Sequence, residues 1–168
     1  GEIEVYSVRL NTAICRLLTY LPVVQELIYQ PICESIVSIE TENHGNTVSL
    51  ICYNRWLDSS TVTKTCLPLP FRDVASLKMA ACPATERISL LNTHARSISI
   101  WICPLGNKKE FEHVVEIGIA SKTLSLGINF FVCGNLIGYT MGGALVLLNL
   151  HLCAKTISGR AVSCKVRS

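Results

Sequence analysis

Nine cysteines and four histidines are the residues of this 168-residue chain best equipped for chemistry, and their spacing limits what they can do. The cysteines stand at 15, 33, 52, 66, 82, 103, 133, 153 and 164, with no C-x-x-C pair among them. Structural zinc sites are built on such close pairs, so no zinc ribbon or finger is expected. An odd number cannot pair completely within one chain. Most sit in apolar runs, as in Ile51-Cys52, Ile102-Cys103, Val132-Cys133 and Leu152-Cys153, where a thiol behaves as a small hydrophobe. They read as reduced core residues, which favours an intracellular or virion setting. The lack of an Asn-x-Ser/Thr sequon and of a charged-then-apolar leader pattern agrees with that reading. His44, His94, His113 and His151 show no H-x-x-x-H or H-E-x-x-H relation, so neither metal nor cofactor is expected. Phosphate-cradling glycine loops are absent as well.

One loop does look chemical. Gly138-Tyr139-Thr140-Met141-Gly142-Gly143-Ala144-Leu145-Val146 resembles the nucleophile loop of viral chymotrypsin-like cysteine proteases, in which a reactive residue precedes Gly-Gly and backbone N–H groups form the oxyanion hole. The resemblance implies His44 as base and Asp58 or Asp73 as its orienting acid, with His151 following the loop. Met141 occupies the nucleophile's place, however, and a thioether cannot attack a carbonyl. The implied protein is a relative without its nucleophile, and no catalytic residue is assigned. A second fragment, Thr47 to Cys52, resembles the B strand of an immunoglobulin domain, and Ser99 to Cys103 resembles its F strand. That resemblance implies a Cys52–Cys103 bridge between sheets. Trp56 comes too soon after Cys52 for the usual core Trp, and Trp101 stands where a Tyr is usual.

The elements that must position these residues read mainly as strands. Period-two alternation marks Ile3 and Val5, then Val48, Leu50 and Cys52, and most clearly Ile98, Ile100 and Ile102. Val115, Ile117 and Ile119, then Leu148, Leu150 and Leu152, and finally Val162, Cys164 and Val166, repeat it. Seven to ten short strands predict a mainly β single domain over 1–168, a sandwich or barrel of jelly-roll type. One or two short helices are expected, from Asn11 or Thr12 to about Tyr29 and from Phe71 to Cys82. Lys108 to Ala120 fits helix and strand alike. Turns are marked at 43–46, 68–70, 104–107 and 158–159, and no internal repeat, low-complexity tract or linker is visible.

Composition narrows the function classes. Apolar residues make up 49% and charged ones 16%, which excludes intrinsic disorder and predicts large buried surfaces. Residues 1–42 hold six Glu against two Arg, whereas Lys122, Lys155, Arg160, Lys165 and Arg167 are the only charges after Glu116. Lys155, Arg160, Lys165 and Arg167 are therefore the candidate contacts for RNA or an anionic surface. Between Thr123 and Ala154 no Asp, Glu, Lys or Arg occurs. A membrane span near 124–150, centred on Phe130 to Leu148 with Gly134, Gly138 and Gly142 at helix-packing spacing, is one reading of that run. Two core strands joined at a glycine turn is the preferred one. Together these features predict a structural or assembly protein that forms homo-oligomers, such as a viral coat subunit, with a membrane-anchored binding protein as the alternative.

Overall fold

A computed structural model of the chain describes residues 1–42, 47–54, 61–68, 71–105, 110–119, 129–141 and 144–150. Thirteen strands account for most of them: β1 Glu2–Ser7, β2 Thr12–Leu18, β3 Val23–Gln30, β4 Ser35–Thr41, β5 Val48–Asn54, β6 Thr61–Leu67, β7 Leu77–Ala81, β8 Arg87–Asn92, β9 Ser97–Ile102, β10 Glu112–Gly118, β11 Phe130–Cys133, β12 Leu136–Met141 and β13 Ala144–Asn149. A single 3-10 turn, Phe71–Ser76, precedes β7. The strands pair as four antiparallel meanders in chain order: β1-β2, β3-β4-β5-β6, β7-β8-β9-β10 and β11-β12-β13.

Hydrophobic alternation explains how the four sheets meet. Ile3, Leu17, Val5 and Cys15 of the first sheet pack on Ile36, Ile51 and Tyr53 of the second. The opposite face of the second sheet, carrying Val37, Ile39, Val48, Leu50 and Cys52, packs on Met79, Ile88, Leu90 and Trp101 of the third. Leu91, Ile98 and Ile100 then leave the third sheet's other face to meet Val132, Ile137 and Tyr139 of the fourth. The sheets are thus stacked face to face in the order of the chain. Both faces of the inner sheets are covered, so every residue of β4 is buried and its polar positions are buried with the rest. Each Val, Ile or Leu so enclosed contributes roughly 1.5–3 kcal/mol.

A repeat emerges that the sequence reading lacks. β3, β7 and β11 begin at Val23, Leu77 and Phe130, and their successors β4, β8 and β12 begin at Ser35, Arg87 and Leu136. The spacing is about 50 residues, the length of one unit in several repeat architectures. The first strands of successive sheets also lie against one another, β3 on β7 and β7 on β11.

Several expectations are corrected. The helix expected from Asn11 to Tyr29 is replaced by β2 and β3, because the apolar residues that mimic a helical stripe fall on both faces of β2: Leu17 turns inward while Ile14 and Leu18 stay exposed. The helix expected over Phe71 to Cys82 is the 3-10 turn followed by β7, and the ambiguous segment before Ala120 contains β10. The described part of the neutral run, 129–141 and 144–150, forms three antiparallel strands, and among the described residues no helix is long and apolar enough to cross a membrane. All described pairings join strands adjacent in sequence, whereas a jelly roll needs Greek-key returns.

Candidate functional site

Several polar side chains are buried in the core; among the described residues Thr41 Oγ1 and Ser89 Oγ find no hydrogen-bond partner, whereas Glu40 and Gln30 are fully engaged with their surroundings. Glu40 of β4 is fully buried. Its carboxylate accepts hydrogen bonds from Ser38 Oγ and Tyr53 Oη, each at 2.6 Å, and from the Leu21 amide at 2.7 Å. Tyr53 Oη also accepts from the Tyr20 amide at 2.8 Å. Burial, reinforced by the bond to Glu40, pushes the Tyr53 phenol well above its usual range. This carboxylate accepts three hydrogen bonds and, being fully buried, has no access to substrate. It holds the β2–β3 connection onto the second sheet.

Gln30, the last residue of β3, is also fully buried. Its Nε2 reaches the carbonyls of Thr85 and Arg87 at 2.9 Å and of Cys82 at 3.3 Å, and its Oε1 accepts from the Ile32 amide at 2.9 Å. One amide therefore satisfies the turn between β7 and β8 of the next sheet. The following interface repeats the arrangement with other atoms: Cys82 Sγ donates to the Gly134 carbonyl at 3.8 Å, and Arg87 donates to Asn135 Oδ1 at 3.3 Å.

Three thiols meet in the core between the second and third sheets: Cys33, Cys52 and Cys103. All are free. The bridge implied by the immunoglobulin resemblance is therefore absent, although both of its cysteines are buried in this one core. Burial pushes the Cys52 thiol up to about 12. The hydrogen bond between Cys33 and Cys103 lowers the former and raises the latter, with burial adding to the rise. Among the described residues no group of three or more His, Cys, Asp or Glu could hold a metal ion.

The protease-like constellation is not assembled by any described geometry. His44, Asp58 and His151, together with Gly142 and Gly143, lie outside the described residues, as do Lys155, Arg160, Lys165 and Arg167. Asp73 falls in the 3-10 turn and Met141 ends β12. His94 lies in the β8–β9 turn, where its backbone amide donates to Asn92 Oδ1 at 3.0 Å. His113 on β10 packs against Trp101 with ring centroids 4.7 Å apart and the ring planes tilted by 55°.

What the described chain offers a ligand is surface. The outward face of the fourth sheet carries Phe131, Leu136 and Leu145, each more than two-fifths exposed, with the exposed thiol of Cys133 beside them. Phe131 lies across Gly138 on the paired strand, so closely that a Cβ there would fall within the ring. The missing side chain at Gly138 makes room for the ring. At the other end of the stack a groove of about 370 Å³ opens between β1 and β3, lined by Ile3, Val5, Leu27, Tyr29 and Ile36 among others. Neither surface stands out in the sequence, because each joins residues from separate strands. No family model, curated protein or solved structure matches the chain.

Proposed function

We propose that this chain is a non-enzymatic association scaffold, built on the plan of a β-propeller, which binds copies of itself through the outward face of its fourth sheet. Propeller blades are four-stranded meanders arranged around an axis, with repeats commonly of 40–50 residues. The approximately 50-residue recurrence and the contacts between successive first strands support that plan. The observation that carries the functional reading is the charge-free outward face on which Phe131, Leu136 and Leu145 stand exposed, with Thr140 and Asn149 as its polar positions. Inside the chain, faces of this kind are covered by another sheet. Charged side chains, which would keep identical copies apart, are absent from it. The buried Glu40, Gln30 and thiol groups, by contrast, serve the packing.

The size of the face sets the strength. Three strands of up to six residues cover roughly 14 Å by 20 Å. That is about 280 Å² a side, well below the roughly 800 Å² per partner of a stable specific interface, so the association is weak and depends on concentration. Sedimentation velocity in buffer without detergent tests it. The expected result is a sedimentation coefficient that rises with protein concentration and stops rising in Leu145→Asp. Alkylation of Cys133 should slow over the same range, while that of the exposed Cys66 on β6 should not. A constant monomeric coefficient at every concentration overturns the proposal.

A further inference from the structure

Two connections that lie far apart in the chain are pinned to the same turn of the third sheet. Gln30 Nε2 donates to the Thr85 and Arg87 carbonyls, each at 2.9 Å, which holds the β3–β4 turn against the β7–β8 turn. The Cys103 amide, one residue past β9, donates to the Glu86 carbonyl of that same turn, also at 2.9 Å. Cys33 in the β3–β4 turn and Cys103 are thereby brought together in the core between the second and third sheets, where their thiols hydrogen-bond to each other. Cys52, the third thiol of that core, is committed elsewhere: its Sγ donates to Asn54 Oδ1 at 3.1 Å. Cys33 is the accessible member of the pair. It sits in a surface turn between Ile32 and Glu34, both exposed, whereas Cys103 is fully enclosed. The bond from Cys103 holds the Cys33 thiol below the usual thiol range, which favours the thiolate, the attacking form.

We propose that Cys33 and Cys103 form a reversible disulfide by exchange with a small-molecule disulfide of the glutathione type, making a covalent staple between the second and third sheets. In the first step the Cys33 thiolate attacks one sulfur of the small disulfide; a mixed disulfide forms, the small S–S bond breaks, and the thiolate that leaves takes up the proton Cys33 gave to solvent. In the second step Cys103, once deprotonated, attacks the Cys33 sulfur, closes the protein bridge and expels the other small thiolate, which takes up the Cys103 proton. Two protein thiols are oxidised and one small disulfide is reduced to two thiols. Excess thiol runs the same steps backwards. The bridge closes a loop of about 70 residues, running from the β3–β4 turn to the end of β9. Closing a loop of that length removes conformational freedom from the unfolded chain, so the oxidised form is the more stable. The staple lies within one chain and does not depend on self-association.

Oxidation of the full chain by glutathione disulfide in native buffer tests it. Remaining thiols are blocked with N-ethylmaleimide in urea, and the peptides are mapped by mass spectrometry without reduction. Glutathione on the exposed Cys66 and Cys133 shows that the oxidant has acted. The expected product is a peptide pair joining Cys33 to Cys103, together with a melting temperature raised by on the order of 10 °C. Both should disappear on adding dithiothreitol. Cys33→Ala, compared with and without oxidant so that the cost of the substitution drops out, is expected to show no such gain. A bridge from Cys52 to Cys103 would overturn the choice of pair, and a Cys33–Cys103 bridge with no gain in melting temperature would overturn the stapling role. Cys33 and Cys103 both recovered as free thiols, or Cys33 carrying glutathione with Cys103 unlinked, in protein that keeps its native circular dichroism, overturns the proposal altogether.

Discussion

A carboxylate buried as completely as Glu40 is tolerable only because Ser38, Tyr53 and the Leu21 amide all donate to it. Nothing in the local sequence announces this. Ser38 is two residues away, but Tyr53 and Leu21 are brought in by strand pairing and by the β2–β3 connection. The thiols were more legible: Cys52 and Cys103 sit in apolar runs, and both are buried and free. Their burial has a consequence at high pH. Cys52 ionises near 9 when unfolded and only at about 12 when folded. Between those values the unfolded chain has lost a proton that the folded chain retains, so stability falls as pH rises. Tyr53 and Cys103, raised in the same direction, act in the same sense. The expected outcome is a melting temperature that declines above pH 9, measured by circular dichroism. Cys52→Ala should flatten that decline by up to about 1.4 kcal/mol per pH unit. A slope unchanged by the substitution would contradict the role given to this thiol.

Strands were legible where one face is polar and the other apolar. Ser97 to Ile102 alternates cleanly and is β9; Val48 to Cys52 lies within β5. β2 and β3 were not, because apolar residues occupy their outward positions too, as Ile14, Leu18, Leu27 and Tyr29 show, and Ile14, Leu17, Leu18 and Leu21 fall at helical spacing. The hairpin turns hid for a different reason. Asn11 and Gly134 are ordinary choices for a left-handed position, but Glu34 and Arg96 also adopt positive φ, of 48° and 55°, immediately before β4 and β9. Neither residue type signals such a turn. Between elements, the strongest directional tie is Gln30, whose amide reaches the turn of the next sheet. Gln30→Leu would remove the bond to the Cys82 and Thr85 carbonyls and to the Ile32 amide, while the Arg87 carbonyl would keep the Cys82 amide. The expected loss is about 2–3 kcal/mol, read from urea denaturation followed by circular dichroism. A loss below the error of that measurement would mean that packing and the Glu26–Lys78 ion pair couple the second and third sheets without it.

For the whole molecule, a mainly β class followed from the alternation, while the arrangement of sheets did not. The first strands of the three longer sheets, VVQELIYQ, LKMAA and FFVC, share no residue pattern, so the recurrence appears only in space. What recurs is geometry: a meander, a turn tied to the neighbouring sheet, and a first strand laid against the next first strand. A propeller plan makes the sheets diverge from those first strands outward, whereas two faces of a sandwich stay about 10 Å apart along their whole width. Distances between paired spin labels separate the two most directly, with native exposed cysteines changed to Ser before labelling. One pair joins the first strands through Gln25→Cys on β3 and Lys78→Cys on β7. The other joins the last strands through position 66 on β6, left as Cys, and Glu116→Cys on β10. The account predicts that the last-strand pair is longer than the first-strand pair by on the order of 10 Å. Equal separations would contradict it and return the molecule to flatly stacked sheets.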